Sequence, residues 1–144
     1  SSGRTALLWA ARGDHIETHI ETIRLLIDRG ANVDKVDSSG TTALMGAVSN
    51  GRTEIAKLLI DKGAAVDHAD NEGKSALMEA AKWGHTKTAE LLIDSGAAVN
   101  HTNRYGVTAL ILAAYNSHTK TAELLITKGA EVDHTDNYGN TALI

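Results

Sequence analysis

The chain has 144 residues, a formal net charge of -4 and 42% hydrophobic residues, with no cysteine, proline or phenylalanine. No disulfide framework can form, and no apolar run approaches the ~18 residues that would insert in a membrane as a helix. The mild acidic excess argues against nucleic acid as a partner, because phosphate backbones are bound by clustered Lys and Arg. No basic segment followed by an apolar one opens the chain. Together with the absence of cysteine, this leads to the expectation of an intracellular setting, cytoplasmic or nuclear.

Glycines recur at Gly30, Gly63, Gly96 and Gly129, and again at Gly40, Gly73, Gly106 and Gly139, always 33 residues apart. A fixed period of this size marks a stacked array in which each unit covers its neighbour. The period divides residues 1–144 into units 1–35, 36–68, 69–101, 102–134 and the start of another, 135–144, within one domain.

In chain order, Thr5 is positioned to cap a first helix. The stretch His15 to Thr22 then writes one tetrad twice. Four residues are close to a helical turn of 3.6. The insertion therefore keeps Ile16, Ile20, Ile23 and Ile27 on one face. It predicts a second helix from near His15 to about Asp28, one turn longer than its counterparts. Helix pairs are expected near 42–49 and 53–61, 75–82 and 86–94, and 108–115 and 119–127. Thr42, Ser75 and Thr108 are the expected N-caps. Ala47, Ala80, Ala81, Ala113 and Ala114 keep the first helices slim. Leu58, Leu59, Leu91, Leu92, Leu124 and Leu125 give the second helices an apolar face. Gly63, Gly96 and Gly129 end them as left-handed caps. Asp37 to Gly40 and its copies form tight turns between units. The chain reaches Ile144 inside the next first helix, with apolar Leu143 and Ile144 where terminal repeats normally turn a polar face outward. It is therefore expected to be a piece of a longer array.

One unit reads Asp70, Gly73, Ser75, Ala76, Leu77, Ala80 and Ala81, then Gly84-His85, Leu91-Leu92-Ile93 and Gly96-Ala97-Ala98-Val99-Asn100. This resembles the ankyrin repeat, with its D-x-x-G-x-T-P-L-H-x-A-A, G-H and G-A-x-V-N signatures. The resemblance covers the whole chain. It implies an all-α solenoid of helix-turn-helix units joined by β-turn or hairpin loops. Two positions depart from the signature. Ala stands for its Pro in every unit, and Leu, Met or Ile stands for its His.

Candidate chemistry is sparse. His15 and His19 have the spacing at which two imidazoles can share a metal, but the tetrad duplication already accounts for the pair. His68, His101 and His134 sit at equivalent loop positions and read as a solvated ladder. His85 and His118 match the G-H position and read as structural, although Ser117 replaces the glycine before His118. Glu54, Glu90 and Glu123 recur with the period and read as solvated helix-face charges. No catalytic constellation, cofactor motif or metal site is seen, so the chain is not expected to be an enzyme.

The aromatic residues are more informative. Trp9, Trp83, Tyr105, Tyr115 and Tyr138 occupy variable positions of first helices and turns, not framework positions. In the family that the chain resembles, these elements line the concave ligand face. Large rings are enriched at binding hot spots. Arg12, Lys74, Lys82 and Arg104 fall in the same stripe, and Glu79 and Leu112 occupy its helical positions. The expectation is a protein-interaction module that uses these residues to bind another protein. The alternative is an architectural spacer or packing domain within a larger multidomain protein.

Overall fold

The computed structural model describes residues 3–13 and 16–143. Among these residues, eight helices follow in pairs: α1 (Ala6–Arg12), α2 (Ile16–Asp28), α3 (Ala43–Ser49), α4 (Thr53–Asp61), α5 (Ala76–Trp83), α6 (Thr86–Asp94), α7 (Ala109–Tyr115) and α8 (Thr119–Thr127). The first helices α1, α3, α5 and α7 pack side by side as one layer, and α2, α4, α6 and α8 form a second layer against them. The fold is the expected all-α solenoid.

Small side chains make the first layer possible. Ala11, Ala47, Ala80, Ala81 and Ala113 are fully buried between neighbouring helices. Leu44, Leu77 and Leu110 point into the seam with the second layer, which supplies Ile23, Leu59, Leu92 and Leu125. The result is one continuous apolar core running the length of the stack. Burying a Leu or Ile side chain stabilises by roughly 1.5–3 kcal/mol, so each seam is held chiefly by these residues. At the apolar position that replaces the signature histidine, Leu8, Met45 and Met78 are buried.

Each first helix starts with a hydroxyl cap. Thr5, Thr42, Ser75 and Thr108 accept hydrogen bonds from the amides of Leu8, Met45, Met78 and Ile111 at 3.2–3.3 Å. The cap residues lie outside the helices, which therefore begin one residue later than the sequence suggests. The second helices end in Schellman geometry. At α4, the Gly63 amide bonds to the Ile60 carbonyl and the Ala64 amide to that of Leu59. Gly63 takes φ 92° there, where a Cβ is disfavoured.

α2 has 13 residues where α4, α6 and α8 have 9. The duplicated tetrad is thus absorbed as one extra turn with the helix in register. Ile23 is fully buried, and Ile20 and Ile27 pack against the core. Asp14 and His15, and with them the exact start of the insertion and the His15–His19 pair, lie outside the described residues. At the other end, Ala142 and Leu143 form a turn rather than the expected start of a helix. There the Leu143 amide donates to Thr141 Oγ1 at 3.3 Å, a local side-chain bond that holds a turn.

The turns between units are built on one side chain each. Asp37 Oδ1 accepts from the amides of Ser39 and Thr41 at 2.9 and 3.0 Å. Asp70, Asn103 and Asp136 repeat this pair of bonds. The turns are also stitched to one another. The Asn71 amide donates to Ser39 O, that of Arg104 to Glu72 O and that of Asn137 to Tyr105 O. A row of loops that would be separate finger-like tips is thereby a connected strip.

Candidate functional site

All five aromatic rings sit on first helices or on the linked turns, and none on a second helix. Trp9 lies on α1 and Trp83 on the last position of α5, while Tyr115 ends α7. Tyr105 and Tyr138 occupy successive turns. Every one is exposed, from 36% for Tyr105 to 86% for Tyr115. A ring left in water gains nothing for the core, so the fold itself does not account for them.

Three of the rings carry a cation. Lys82 Nζ stands 5.0 Å from the centroid of Trp83. The Arg104 guanidinium lies 4.8 Å from that of Tyr105 and donates to its hydroxyl. The Arg4 guanidinium lies 5.1 Å from that of Trp9. Each ring and its cation hold one another in place. Trp83 is further fixed by its Nε1, which donates to Glu79 Oε2 at 3.2 Å, and Ser49 Oγ of the preceding unit reaches the same oxygen at 3.2 Å.

The remaining candidates fall around these anchors. Lys74 Nζ lies 2.7 Å from Glu72 Oε2, and Arg104 Nη2 lies 3.7 Å from Glu72 Oε1. The Lys74 bond and charge hold the Glu72 carboxyl below the usual carboxylate range, with Arg104 and Lys82 adding to the effect. Arg12 lays its side chain across Gly46 of the next unit, where a Cβ would meet it at 3.0 Å. Leu112 is half-buried and packs on the core, so it offers less free surface than its repeat equivalent Trp9.

Two residues of this surface were not singled out from the sequence: Arg4 and Glu72. Repeat equivalence contains the signal for both. Arg4 precedes the capping Thr5 as Lys74 precedes Ser75, and Glu72 is the counterpart of Tyr105 and Tyr138. Arg4 also lies 3.7 Å from Asp37, whose side chain is 4% exposed. Burial alone would raise the Asp37 pKa. The amides of Thr41 and Ser39 and the charges of Arg12 and Arg4 outweigh it, and the carboxyl is held below its ordinary value.

The histidines are not a solvated ladder. His68, His101 and His134 are half-buried, and each places Nε2 2.8–2.9 Å from the carbonyl of Gly40, Gly73 or Gly106 in the preceding turn. They latch neighbouring units together. His85 and His118 act likewise, on the carbonyls of Ser49 and Lys82 at 3.3 and 3.0 Å. Lys35 holds the equivalent position in the first unit and is exposed. Glu54, Glu90 and Glu123 are exposed on the second helices, as expected.

Among the described residues, no group of three His, Asp or Glu side chains could hold a metal ion. No helix among them is long and apolar enough to cross a membrane.

The family model for ankyrin repeats (three copies) matches residues 1–70, 17–103 and 97–144. A comparison with curated proteins found no match.

Proposed function

Because the chain belongs to the ankyrin-repeat family, whose arrays are generally protein–protein interaction modules, we propose that it is a non-enzymatic module that binds another protein. Its binding face is the strip of first helices and turn tips that carries Trp9, Trp83, Tyr105, Tyr115 and Tyr138. The observation behind this reading is the segregation of every aromatic ring to those elements, all of them exposed. Trp83 and Tyr115 are the central anchors, with Tyr105 and Tyr138 at the tips. Arg12, Lys74, Lys82 and Arg104 steer and orient the partner, beside Glu79 and Leu112.

The mechanism is recognition by a preorganised surface. Backbone bonds between adjacent tips and the ring–cation pairs fix the strip before any partner arrives. Little loop or rotamer entropy is then lost on binding.

Affinity capture with the intact chain, followed by mass spectrometry, tests the reading. A partner held by the wild type and by Glu90→Ala, but lost with Trp83→Ala/Tyr115→Ala, supports it. A partner retained by the double variant and lost with Glu90→Ala moves the site to the second helices and removes this face.

A further inference from the structure

Trp83 ends α5 with its ring half in water, where an unrestrained side chain exchanges among staggered rotamers. Two neighbours act on it. Lys82 covers one face, with Nζ 5.0 Å from the centroid. A cation on a flexible four-carbon stem follows a ring more readily than it restrains one. The directional contact is the other one, in which Nε1 donates to Glu79 Oε2 at 3.2 Å.

Repeat equivalence places this contact in a series. Asn50 and Asn116 stand where Trp83 stands, and each donates from Nδ2 at 2.8 Å to the carbonyl four residues earlier, of Gly46 and Leu112. Trp83 also reaches back four residues, but to a side-chain carboxylate. Gly46 and Leu112, the counterparts of Glu79, carry no side-chain acceptor. Glu79 thus supplies in the third unit what the backbone supplies in its neighbours. Glu79 is half-buried and is itself held. Ser49 Oγ, at the end of α3 in the preceding unit, lies 3.2 Å from the same Oε2 and 2.9 Å from the Met45 carbonyl. A carboxylate and a carbonyl only accept, and a hydroxyl has one proton. Ser49 divides that proton between them, which makes it the weaker of the two holds.

We infer that Glu79, backed by Ser49, is a positioning residue. It sets the Trp83 indole in the orientation in which a partner meets it, and acts on the partner only through that ring. The hold stands on the geometry above, and its purpose rests on the reading that this face binds protein. Lys82 takes one face of the indole and Glu79 the N–H edge. The partner therefore meets Trp83 as an apolar surface and not as a hydrogen-bond donor. Ordering one side chain on binding costs a factor of roughly two to ten in affinity, and a ring already fixed by Glu79 is spared it. The chain Ser49–Glu79–Trp83 also crosses from one unit to the next, so the ring is tied to the stack and not to α5 alone.

The experiment has two parts. The first uses the intact chain alone and reads the indole N–H of Trp83 by nitrogen-15 NMR, with Trp9→Phe to assign the two indoles. The heteronuclear NOE reports motion of the ring on the picosecond to nanosecond scale. Glu79→Ala is expected to move the Trp83 indole resonance and lower its NOE, with the Trp9 signal and the melting temperature nearly unchanged. Glu79→Gln, whose amide oxygen still accepts, is expected to restore both. Ser49→Ala should act in the same direction as Glu79→Ala and less strongly. The second part measures the affinity of the partner retained in the capture experiment above. Glu79→Ala is expected to weaken it by roughly two- to tenfold, and to have no further effect when Trp83 is already alanine.

An indole resonance and NOE that are indifferent to Glu79→Ala overturn the inference and leave the binding face standing. A loss of affinity from Glu79→Ala that persists in full in the Trp83→Ala background makes Glu79 a direct contact, which also overturns it. A melting temperature that falls with Glu79→Ala while the Trp83 indole is unmoved gives Glu79 a role in the fold instead. Affinity that is intact in Trp83→Ala overturns the reading of this face and the purpose given to the hold, whatever the spectra of the free chain show.

Discussion

The imidazole of His101 donates from Nε2 to the carbonyl of Gly73, 28 residues earlier, at 2.8 Å. A carbonyl can only accept, so the ring carries its proton on Nε2. The bond joins the loop that follows one helix pair to the turn that precedes it. His68 and His134 make the same bond one unit to either side.

Removing such a latch leaves a half-buried carbonyl without its donor. His101→Ala is expected to destabilise the fold by about 1–2 kcal/mol, read as a lower urea midpoint at unchanged slope. Nitrogen chemical shifts of the imidazoles should report the Nε2–H tautomer at all three positions. An unchanged midpoint would mean that the bond contributes nothing net.

Ser117 stands where the signature has glycine, and it takes φ 59°, close to the 66° and 70° of Gly51 and Gly84. Its amide still completes the end of α7, bonding to the Ala114 carbonyl at 3.0 Å. A side chain in this region costs roughly 1–2 kcal/mol, partly offset by the greater freedom of an unfolded glycine. Ser117→Gly is expected to stabilise by about 0.5–1 kcal/mol. The reverse change, Gly84→Ala, should cost more than this gain. Its Cβ would come within 2.5 Å of His118 Nδ1. Thermal melts of the two variants should move in opposite directions.

Asp37 is held below the ordinary carboxylate pKa in the folded chain. Its contribution to stability is therefore complete above the unfolded value of about 3.9 and is lost as pH falls through the folded value. Asn103 makes the same two amide bonds with a group that does not titrate. Asp37→Asn should keep the turn through its amide oxygen and lose only the charge facing Arg4 and Arg12. A modest loss of stability near pH 7 is expected, shrinking towards zero at low pH. Urea midpoints collected from pH 7 down to pH 2 would show it, and a constant difference across that range would contradict it.

Trp83 is 53% exposed and contributes little to the core. Trp83→Ala is expected to leave the melting temperature nearly unchanged and to cost on the order of 2 kcal/mol or more in partner affinity. A large loss of stability with affinity intact would place the ring among the packing residues instead.

Ile126 and Val132 are 48% and 52% exposed, whereas their counterparts Ile93 and Val99 are half-buried under the following unit. A further unit with a polar outer face, fused after Ile144, should cover them. The stability of repeat arrays rests largely on interfaces between neighbours. The fusion is expected to raise the denaturation midpoint, and an unchanged midpoint would show that these side chains gain no cover.

Much of the architecture was legible in the sequence because its signals are local and repeat. The 33-residue glycine spacing, the Thr or Ser caps and the Leu-rich faces each act within one or two helical turns. Even the long α2 was legible, since four added residues nearly complete a turn and leave Ile20, Ile23 and Ile27 facing the core. The sequence also marked Trp83, Tyr105 and Tyr138 as surface positions, because their repeat equivalents follow no apolar pattern. Only the tertiary structure decided the rest. Whether His68 meets water or the Gly40 carbonyl depends on how two loops 28 residues apart are brought together by stacking. The same is true of Arg104, whose guanidinium reaches Glu72 only because adjacent turns are stitched at backbone distance. Periodicity states which residues recur. The partner of a polar side chain is set by a few ångströms of packing between units, and no spacing along the chain encodes that.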